Sequence, residues 1–448
     1  MVPSLLIPLS GAALAAGLLL WRAKIPFSYN LRNLVVRWKT STTTALAFTL
    51  VVTLLVVMLA FVNGMYRLTQ SSGQPGNVVI LSEGTTDEAF SNLGFSDVGD
   101  LENQPGILRD SGRPLCSRET YLVVNQPIPD AAAGRLNRRF LQVRGIDDPE
   151  IAARVHGMRL VDGGRWFSKA GVSELPGAGD GPASSRSAVE VVLGDGIARE
   201  LAKDRAPDQP ASARNPQRLE AGDSFAMGDR RWLVVGVMLP SGATFDSEVW
   251  AKRSVIGPMF GKETYTSLVA RTAGPAAARQ LAEFFNTRYT KAAVQAQVET
   301  EYFASLSETN VQFLYAIAFV AGVMALGGMF GVMNTMYAAI SQRTRDIGVL
   351  RMLGFARWQL LVSFLLESLA LALIGGLLGC ALGSLADGWT ANSIISSGAG
   401  GGKFVVLQLV VDTNILAVGL LVALGMGGLG GLLPALRATR LPPLEALR

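Results

Sequence analysis

The sequence predicts an α-helical membrane protein with four transmembrane helices, or five if an apolar stretch at the start also crosses. A large α+β extracytoplasmic domain is inserted after the span at residues 43–63. Three observations carry this reading: apolar runs long enough to cross a bilayer, basic residues gathered in alternate loops, and a strand-like polar stretch between two of those runs. The 448 residues are 49% apolar and 17% charged, with a mean hydropathy of +0.33, so part of the chain belongs in lipid. A net charge of +5 is small for this length and argues against a nucleic-acid binder.

A helix needs roughly 20 apolar residues to cross a hydrocarbon core. Residues 1–22 contain the apolar stretch LLIPLSGAALAAGLLLW (5–21), which reads as an additional span, a signal-like segment or an N-terminal appendage; the basic start of a cleaved signal is missing. The other candidate spans are 43–63, 311–336, 361–386 and 413–433. The first two of these hold no charge, the third holds Glu367, and the fourth ends in a glycine cluster followed by Pro434. Glycines inside such runs suit helices that approach closely.

Loop charge sets the orientation. Residues 22–40 carry Arg22, Lys24, Arg32, Arg37 and Lys39 with no acid, and residues 341–359 carry Arg343, Arg345, Arg351 and Arg357 against Asp346. The tail RATRLPPLEALR is also basic, whereas 387–412 holds Asp387, Lys403 and Asp412. The lysine and arginine bias puts the first three in the cytoplasm and the last outside, so alternation puts residues 64–308 outside as well.

That outer region is long enough for its own core. Strand-like pieces occur at 77–82, 120–126, 138–146, 187–194 and 230–238, and GIARELAKD reads as a helix. Glycine-, proline- and serine-rich stretches at 169–187 and 205–216 read as exposed loops. From 275 to 310 the composition favours helix, first in AAARQLAEFFNTRY and then in KAAVQAQVETEYFASLSETN. This could be a helical stalk feeding the next span, or a pair of ordinary surface helices.

Between the second and third of these spans lies SQRTRDIGVLRMLGFARWQ, residues 341–359. Ile347, Leu350 and Gly354 recur at i, i+3 and i+7, Arg345 and Arg351 point elsewhere, and Asp346 can pair with Arg343. Gly354 allows the chain to turn into the next span. Physics alone leaves two uses for such an interfacial helix: membrane-surface anchoring, or docking of a cytoplasmic protein. Glu367, deep in a span, reads as an ion pair or hydrogen bond to this loop, as an interfacial acid reaching the headgroups, or as a proton relay.

Chemistry on the chain itself is poorly supported. GAGGGKF (398–404) fails as a phosphate loop because its glycine spacing is short and Phe404 stands where Ser or Thr must hold magnesium. The single histidine, His156, excludes a zinc-protease helix and reads as solvated or locally bonded. Cys116 and Cys380 lie in unlike surroundings, which argues against a disulfide. The serines of ISSGAG have no nearby base. Trp166, Trp232 and Trp250 read as packing residues, Trp38 and Trp358 as membrane-edge anchors.

RTRDIGVLRMLG (343–354), followed by FLLESLALALIGGLLG (364–379) with its early glutamate, resembles the signature of the MacB/FtsX class of ABC transporter permeases, of the mechanotransmission type. LPALRATRLPPLEALR (433–448) resembles that family's closing motif. VDGGRWF (161–167), AVEVVLGDGIARELAKD (188–204) and LEAGDSFAMGDRRWLVVGVM (219–238) are similar to its periplasmic core domain, and YNLRNLVVRWKTSTTTALAFTLVVTLLVVMLAFVNGM to its leading helix and first span. Asp346 stands where the family more usually has glutamate, and the segment before residue 23 is extra.

The resemblance implies a cytoplasmic helix at 23–42, a first span at 43–63, a core domain at 64–308 and an FtsX-like permease domain at 309–448. It places a coupling helix at 341–354, whose Arg343, Arg345, Asp346, Ile347, Leu350, Arg351 and Gly354 would meet a separate ABC ATP-binding subunit. It also implies a homodimer in the inner membrane, with ATP and magnesium on the partner ATPase and no catalytic, cofactor or metal site on this chain. A periplasmic adaptor, an outer-membrane protein or an envelope enzyme are further partners it allows. The expected function is ATP-driven export or envelope extraction; the alternatives are a regulator of a cell-envelope enzyme and a membrane scaffold without an ATPase.

Overall fold

The computed structural model describes residues 36, 38–127, 138–174, 187–204, 215–306, 308–395 and 403–440. The apolar stretch at 5–21, most of the helix expected at 23–42 and the end of the closing motif lie outside the described residues, as does most of 398–404.

Four described helices are long and apolar enough to cross a membrane. They are α1 (Trp38–Ser71), α8 (Glu308–Ser341), α10 (Arg357–Ser384) and α11 (Thr413–Thr439). Those around 43–63, 311–336 and 413–433 extend beyond the run that hydropathy picks out, because backbone hydrogen bonding continues past the last apolar residue, whereas α10 starts before 361 and ends at Ser384, two residues short of the expected 386. The chain divides into two compact units. The first comprises residues 1–63, 312–389 and 409–448, and the second 64–311 and 390–408.

Within the first unit, small residues let backbones touch. Gly375, Gly379 and Gly383, one helical turn apart on α10, face Ala45–Phe48, Thr49–Val52 and Thr53–Val56 of α1. Thr53 Oγ1 donates across to the Gly379 carbonyl at 3.3 Å. On α11, Gly427 and Gly431 approach Ser368 of α10 in the same way. A Cβ at Gly379 would lie 2.7 Å from Val52 Cβ and 2.9 Å from Thr49 O. Gly379→Val is therefore expected to cost about 1–3 kcal/mol through overpacking, read as a lower aggregation temperature in detergent. Gly425→Val, with no heavy atom within 4 Å of the new Cβ, is the control that melts normally.

The second unit is built on one ten-stranded sheet. Its strands include β1 (Asn77–Ser82), β4 (Cys116–Pro127), β5 (Arg138–Ile146), β7 (Ser187–Leu193), β9 (Arg230–Val237), β10 (Glu248–Lys252), β11 (Ser267–Arg271) and β12 (Val294–Val298). With β8 (Ser224–Met227) at one edge, the order is β12-β1-β11-β4-β5-β10-β7-β9-β8, and the short β6 (Val172–Glu174) pairs with β7. Most neighbours are antiparallel; β5–β10 and β7–β9 are parallel. The strands expected at 77–82, 120–126, 138–146, 187–194 and 230–238 all lie in this sheet.

Two apolar clusters cover it. One gathers Leu141, Val143, Val191, Ile197, Trp232 and Val249 under the helix α4 (Asp195–Ala202). The other gathers Val78, Ile80, Leu268, Ala278, Leu281 and Phe285 under α6 (Pro275–Thr287). β13 (Thr390–Ile395) and β14 (Lys403–Gln408), from the loop between the last two spans, form a hairpin counted with this unit. Ser247 Oγ accepts from the Val406 backbone N–H at 2.9 Å.

One helical expectation is corrected. The stretch after residue 290 is not a continuous helix: residues 294–298 form β12 at the sheet edge, followed by the short α7 (Glu299–Ser305). Val294, Ala296 and Val298 alternate inward and Gln295 and Gln297 outward, so a two-residue period pairing with β1 overrides the helical preference of alanine and glutamine. The glycine-rich stretch at 169–187 is in part ordered strand, since β6 and the start of β7 fall within it. Residues 175–186 and 205–214 lie outside the described residues.

Candidate coupling site and the polar core of the outer domain

In the first unit, the arginine-rich segment folds as the helix α9 (Thr344–Met352). Its end is fixed by backbone chemistry. Gly354 adopts φ +90°, its N–H donates to Arg351 O at 3.2 Å, and the Phe355 N–H reaches Leu350 O at 3.2 Å, a paired cap that satisfies the last carbonyls. The next helix starts with the Ala356 N–H donating to Gln359 Oε1 at 2.8 Å.

Ile347 packs inward with Met336, Ile340, Leu360 and Phe364, and Leu350 is half-buried beside them. Arg343, at the N-terminal boundary of α9, is buried and aims both terminal nitrogens at Glu367 of α10, Nη1 to Oε2 at 3.2 Å and Nη2 to Oε1 at 3.5 Å. Its ion pair is thus with Glu367 rather than Asp346. A two-pronged arginine–carboxylate contact fixes direction as well as distance.

The opposite face of α9 is exposed among the described residues. Arg345 and Asp346 are exposed, Val349 is 47% exposed, and Met352 and Leu353 are 68% and 70% exposed. Gly354 belongs to this outer side, not with Ile347 and Leu350. Arg351 is half-buried, its Nε enclosed without a hydrogen-bond partner among the described residues. Helical spacing marks the inner face, but it gives no reason to single out Val349, Met352 and Leu353; an apolar trio beside arginines was the available signal. Trp38 and Trp358 are exposed, as membrane-edge rings would be.

The second unit holds a buried ionic network that the sequence reading passes over. The two-residue period of β4, β5 and β10 sends Leu122, Val143 and Val249 into the apolar core, and it sends Glu119, Tyr121, Arg144, Glu248 and Trp250 to the other face. Arg144, 1% exposed, donates to Glu248 at 2.6 and 2.7 Å, to Glu88 at 2.9 Å and to Glu119. His156, at the end of the helix α3 (Pro149–His156), bridges Glu119 at 2.6 Å and Glu299 at 3.0 Å. It is buried rather than solvated, because α3 packs its last turn on this face.

Burial alone would push the His156 imidazole down. The charge of Glu119 and the hydrogen bonds that the ring donates to Glu119 and Glu299 outweigh it and raise the pKa to about 10. For Glu119, burial pushes upward, but the charges of Arg144 and then His156 hold the carboxyl below its ordinary value. A raised histidine stabilises fully below its unfolded pKa, near 6.5, and that contribution is lost as pH rises through about 10. The outer domain is therefore expected to weaken from pH 7 to 10 in thermal melts, and His156→Gln is expected to flatten that decline. Among the described residues no group of three or more His, Cys, Asp or Glu side chains could hold a metal.

The profile of the MacB-like periplasmic core domain matches residues 41–300, more than half of the chain, and that of the FtsX-like permease C-terminal region matches 318–443. The chain belongs to the MacB/FtsX permease family.

The permease is 32% identical over 211 residues to an uncharacterized ABC transporter permease, YknZ, of Bacillus subtilis, covering 46% of this chain and 50% of that one. It is 25% identical over 396 residues to the macrolide export ATP-binding/permease protein MacB of Shewanella oneidensis, covering 83% of this chain and 55% of that protein. The chain thus spans about half the length of these curated relatives. Among solved structures, the extracellular domain of the noncanonic ABC-type transporter YknZ from Gram-positive bacteria aligns at TM-score 0.29 and 15% identity, over 49% of this chain and 99% of that one. The periplasmic region of MacB from Actinobacillus actinomycetemcomitans aligns at TM-score 0.32 and 15% identity, over 53% and 95%. This permease is a multi-pass protein of the cytoplasmic membrane with a large extracytoplasmic domain.

Proposed function

We propose that this permease is the membrane subunit of an ATP-driven ABC system, in which α9 seats a separate ATP-binding subunit and passes its movements to the outer domain. The observation that carries this reading is the two-sided character of α9. Its inner side is tied to α10 through Arg343 and Glu367, while its outer side presents Val349, Met352 and Leu353 beside Arg345. An exposed apolar trio with a charged neighbour suits a protein partner of mixed surface, since interface energy concentrates in a few desolvated side chains.

Connectivity supports transmission. The chain passes between the two units four times, at 63/64, 311/312, 389/390 and 408/409, and at the first of these passages it does so inside the continuous helix α1. On this reading the partner supplies ATP and magnesium, the permease works as a homodimer, and the outer domain delivers the motion to a substrate for export or envelope extraction. Residues 64–308 then act as the moving domain and 309–448 as the permease domain, with coupling through Arg343, Arg345, Asp346, Ile347, Leu350, Arg351 and Gly354.

The test is purification of the tagged chain from native membranes in mild detergent, with mass spectrometry of what accompanies it. An ABC ATP-binding subunit is expected with the native chain and at least tenfold less with Arg345→Gln/Met352→Ser/Leu353→Ser, both chains inserting equally. Equal recovery from the two would refute docking on α9, and its absence from both after crosslinking would favour a scaffold.

A further inference from the structure

The second unit contains a groove of about 1030 Å³ that neither α9 nor the buried network uses. It lies between the start of α3, the loop of residues 158–169 and the end of β10. The volume is at the upper end of what small-molecule sites enclose.

The loop wall is preformed. The Val161 N–H donates to Val237 O at 2.8 Å and the Arg165 N–H to Val235 O at 2.9 Å, fastening the loop to β9. Glu190 holds it from the other side, accepting from Arg165 Nη2 and from the Ser168 N–H, each at 2.6 Å. Phe167 is buried as an anchor, and Trp166, half-buried, is part of the groove's lining. The Trp166 ring stacks on Trp250, centroids 6.0 Å apart at 29°, so its position is fixed from behind.

Charge on the groove is unequal. Asp147 is answered by Arg253 at 2.7 Å and by the Tyr265 hydroxyl at 2.5 Å, and Arg165 by Glu190. Asp148 spends one carboxylate oxygen on the Glu150 and Ile151 N–H groups that open α3. The Lys252 ammonium donates to the Asp147 carbonyl, so what is left to face the groove is Arg113, Arg159 and Lys169 against Asp148 and Glu150. Arg113, Arg159 and Lys169 are exposed and have no ion-pair partner among the described residues. Cations gathered round a concave, partly apolar surface raise the local concentration of anions more than the same charges would on a flat face.

We propose that this groove binds a small organic anion with a flat apolar body, its ring against Trp166 and its carboxylate or equivalent toward Arg159 and Lys169. An indole face accepts planar rings by offset stacking. The fixed loop means that little ordering is needed on binding, which favours affinity. The site is independent of whether an ATPase docks on α9.

The probe is 2-naphthoate, with neutral 2-naphthamide as its isostere, titrated calorimetrically into the full chain in zwitterionic nanodiscs with empty nanodiscs as blank. Naphthoate is expected to bind saturably, at least fivefold more tightly than the amide, and more weakly as salt is raised. Arg159→Gln/Lys169→Gln, which removes two exposed side chains without an ion pair, should abolish the preference for the acid while the melting temperature stays unchanged. Trp166→Ala should weaken both probes alike. Absence of saturable naphthoate binding, equal affinity for acid and amide, or native affinity in the double charge variant would each overturn the proposal.

Discussion

Arg144→Met is expected to cost the outer domain about 3–5 kcal/mol at neutral pH, because removing one member of a buried ionic cluster leaves three buried carboxylates without the cation they share. Arg144 serves Glu88, Glu119 and Glu248 at once, and all four side chains are at most 3% exposed. The pH dependence separates this cause from a simple packing defect. In the native chain Glu119 is held below its ordinary value, so its contribution is present above the unfolded carboxylate pKa and is lost as pH falls. Without the arginine, burial pushes the Glu119 carboxyl upward against His156 alone, so Glu119 is expected to take up a proton more readily when folded than when unfolded, and stability to rise as pH falls. Hydrogen exchange of peptides covering β5 and β10, compared at pH 6 and pH 4 in nanodiscs, should give opposite trends for the two chains. Parallel trends would mean that the network does not govern stability.

The second large effect concerns coupling. Glu367→Gln is expected to leave insertion and ATPase retention unchanged while reducing the ATP-dependent change in hydrogen exchange of the outer domain roughly tenfold, since a charge-assisted hydrogen bond contributes about 1.5–3 kcal/mol. The amide keeps the shape but cannot balance Arg343, whose guanidinium is buried. Arg343→Met should produce the same loss, and the double variant little more than either alone, which is the mark of two residues acting through one contact. Additive losses, or a native ATP response in Glu367→Gln, would remove the pair from the transmission route.

Much of the architecture was legible because membrane spans and strands leave periodic signatures. The four long helices and the five expected strands are present, and Gly354 sits at φ +90° where a turn was expected. β12 was not legible, since VQAQV is short and its alanine and glutamines favour helix until β1 offers a paired edge. The ionic network was also missed. Glu119, Arg144 and Glu248 are far apart in sequence, and only the strand order β4-β5-β10 brings them to one face. The signal was there in part, as Arg144 near the end of a strand whose other residues include Phe140, Leu141, Val143 and Ile146. At α9 the heptad-like spacing found Ile347 and Leu350, which turn out to be its packed side, whereas the presented residues are those that the spacing skips.

The hairpin of β13 and β14 has a practical corollary. Because the second unit draws on residues 390–408 as well as 64–311, no single contiguous excision from the gene captures it without the spans α8 and α10 between. A soluble fragment ending at residue 311 would strip Val405 and Leu407 from their buried seats and leave Ser247 without its backbone donor. Grafting the hairpin back through a short linker, or supplying it as a separate peptide, is the route to an isolated outer domain with a native surface, and binding of that peptide by the fragment would be a direct reading of how firmly the two pieces belong together.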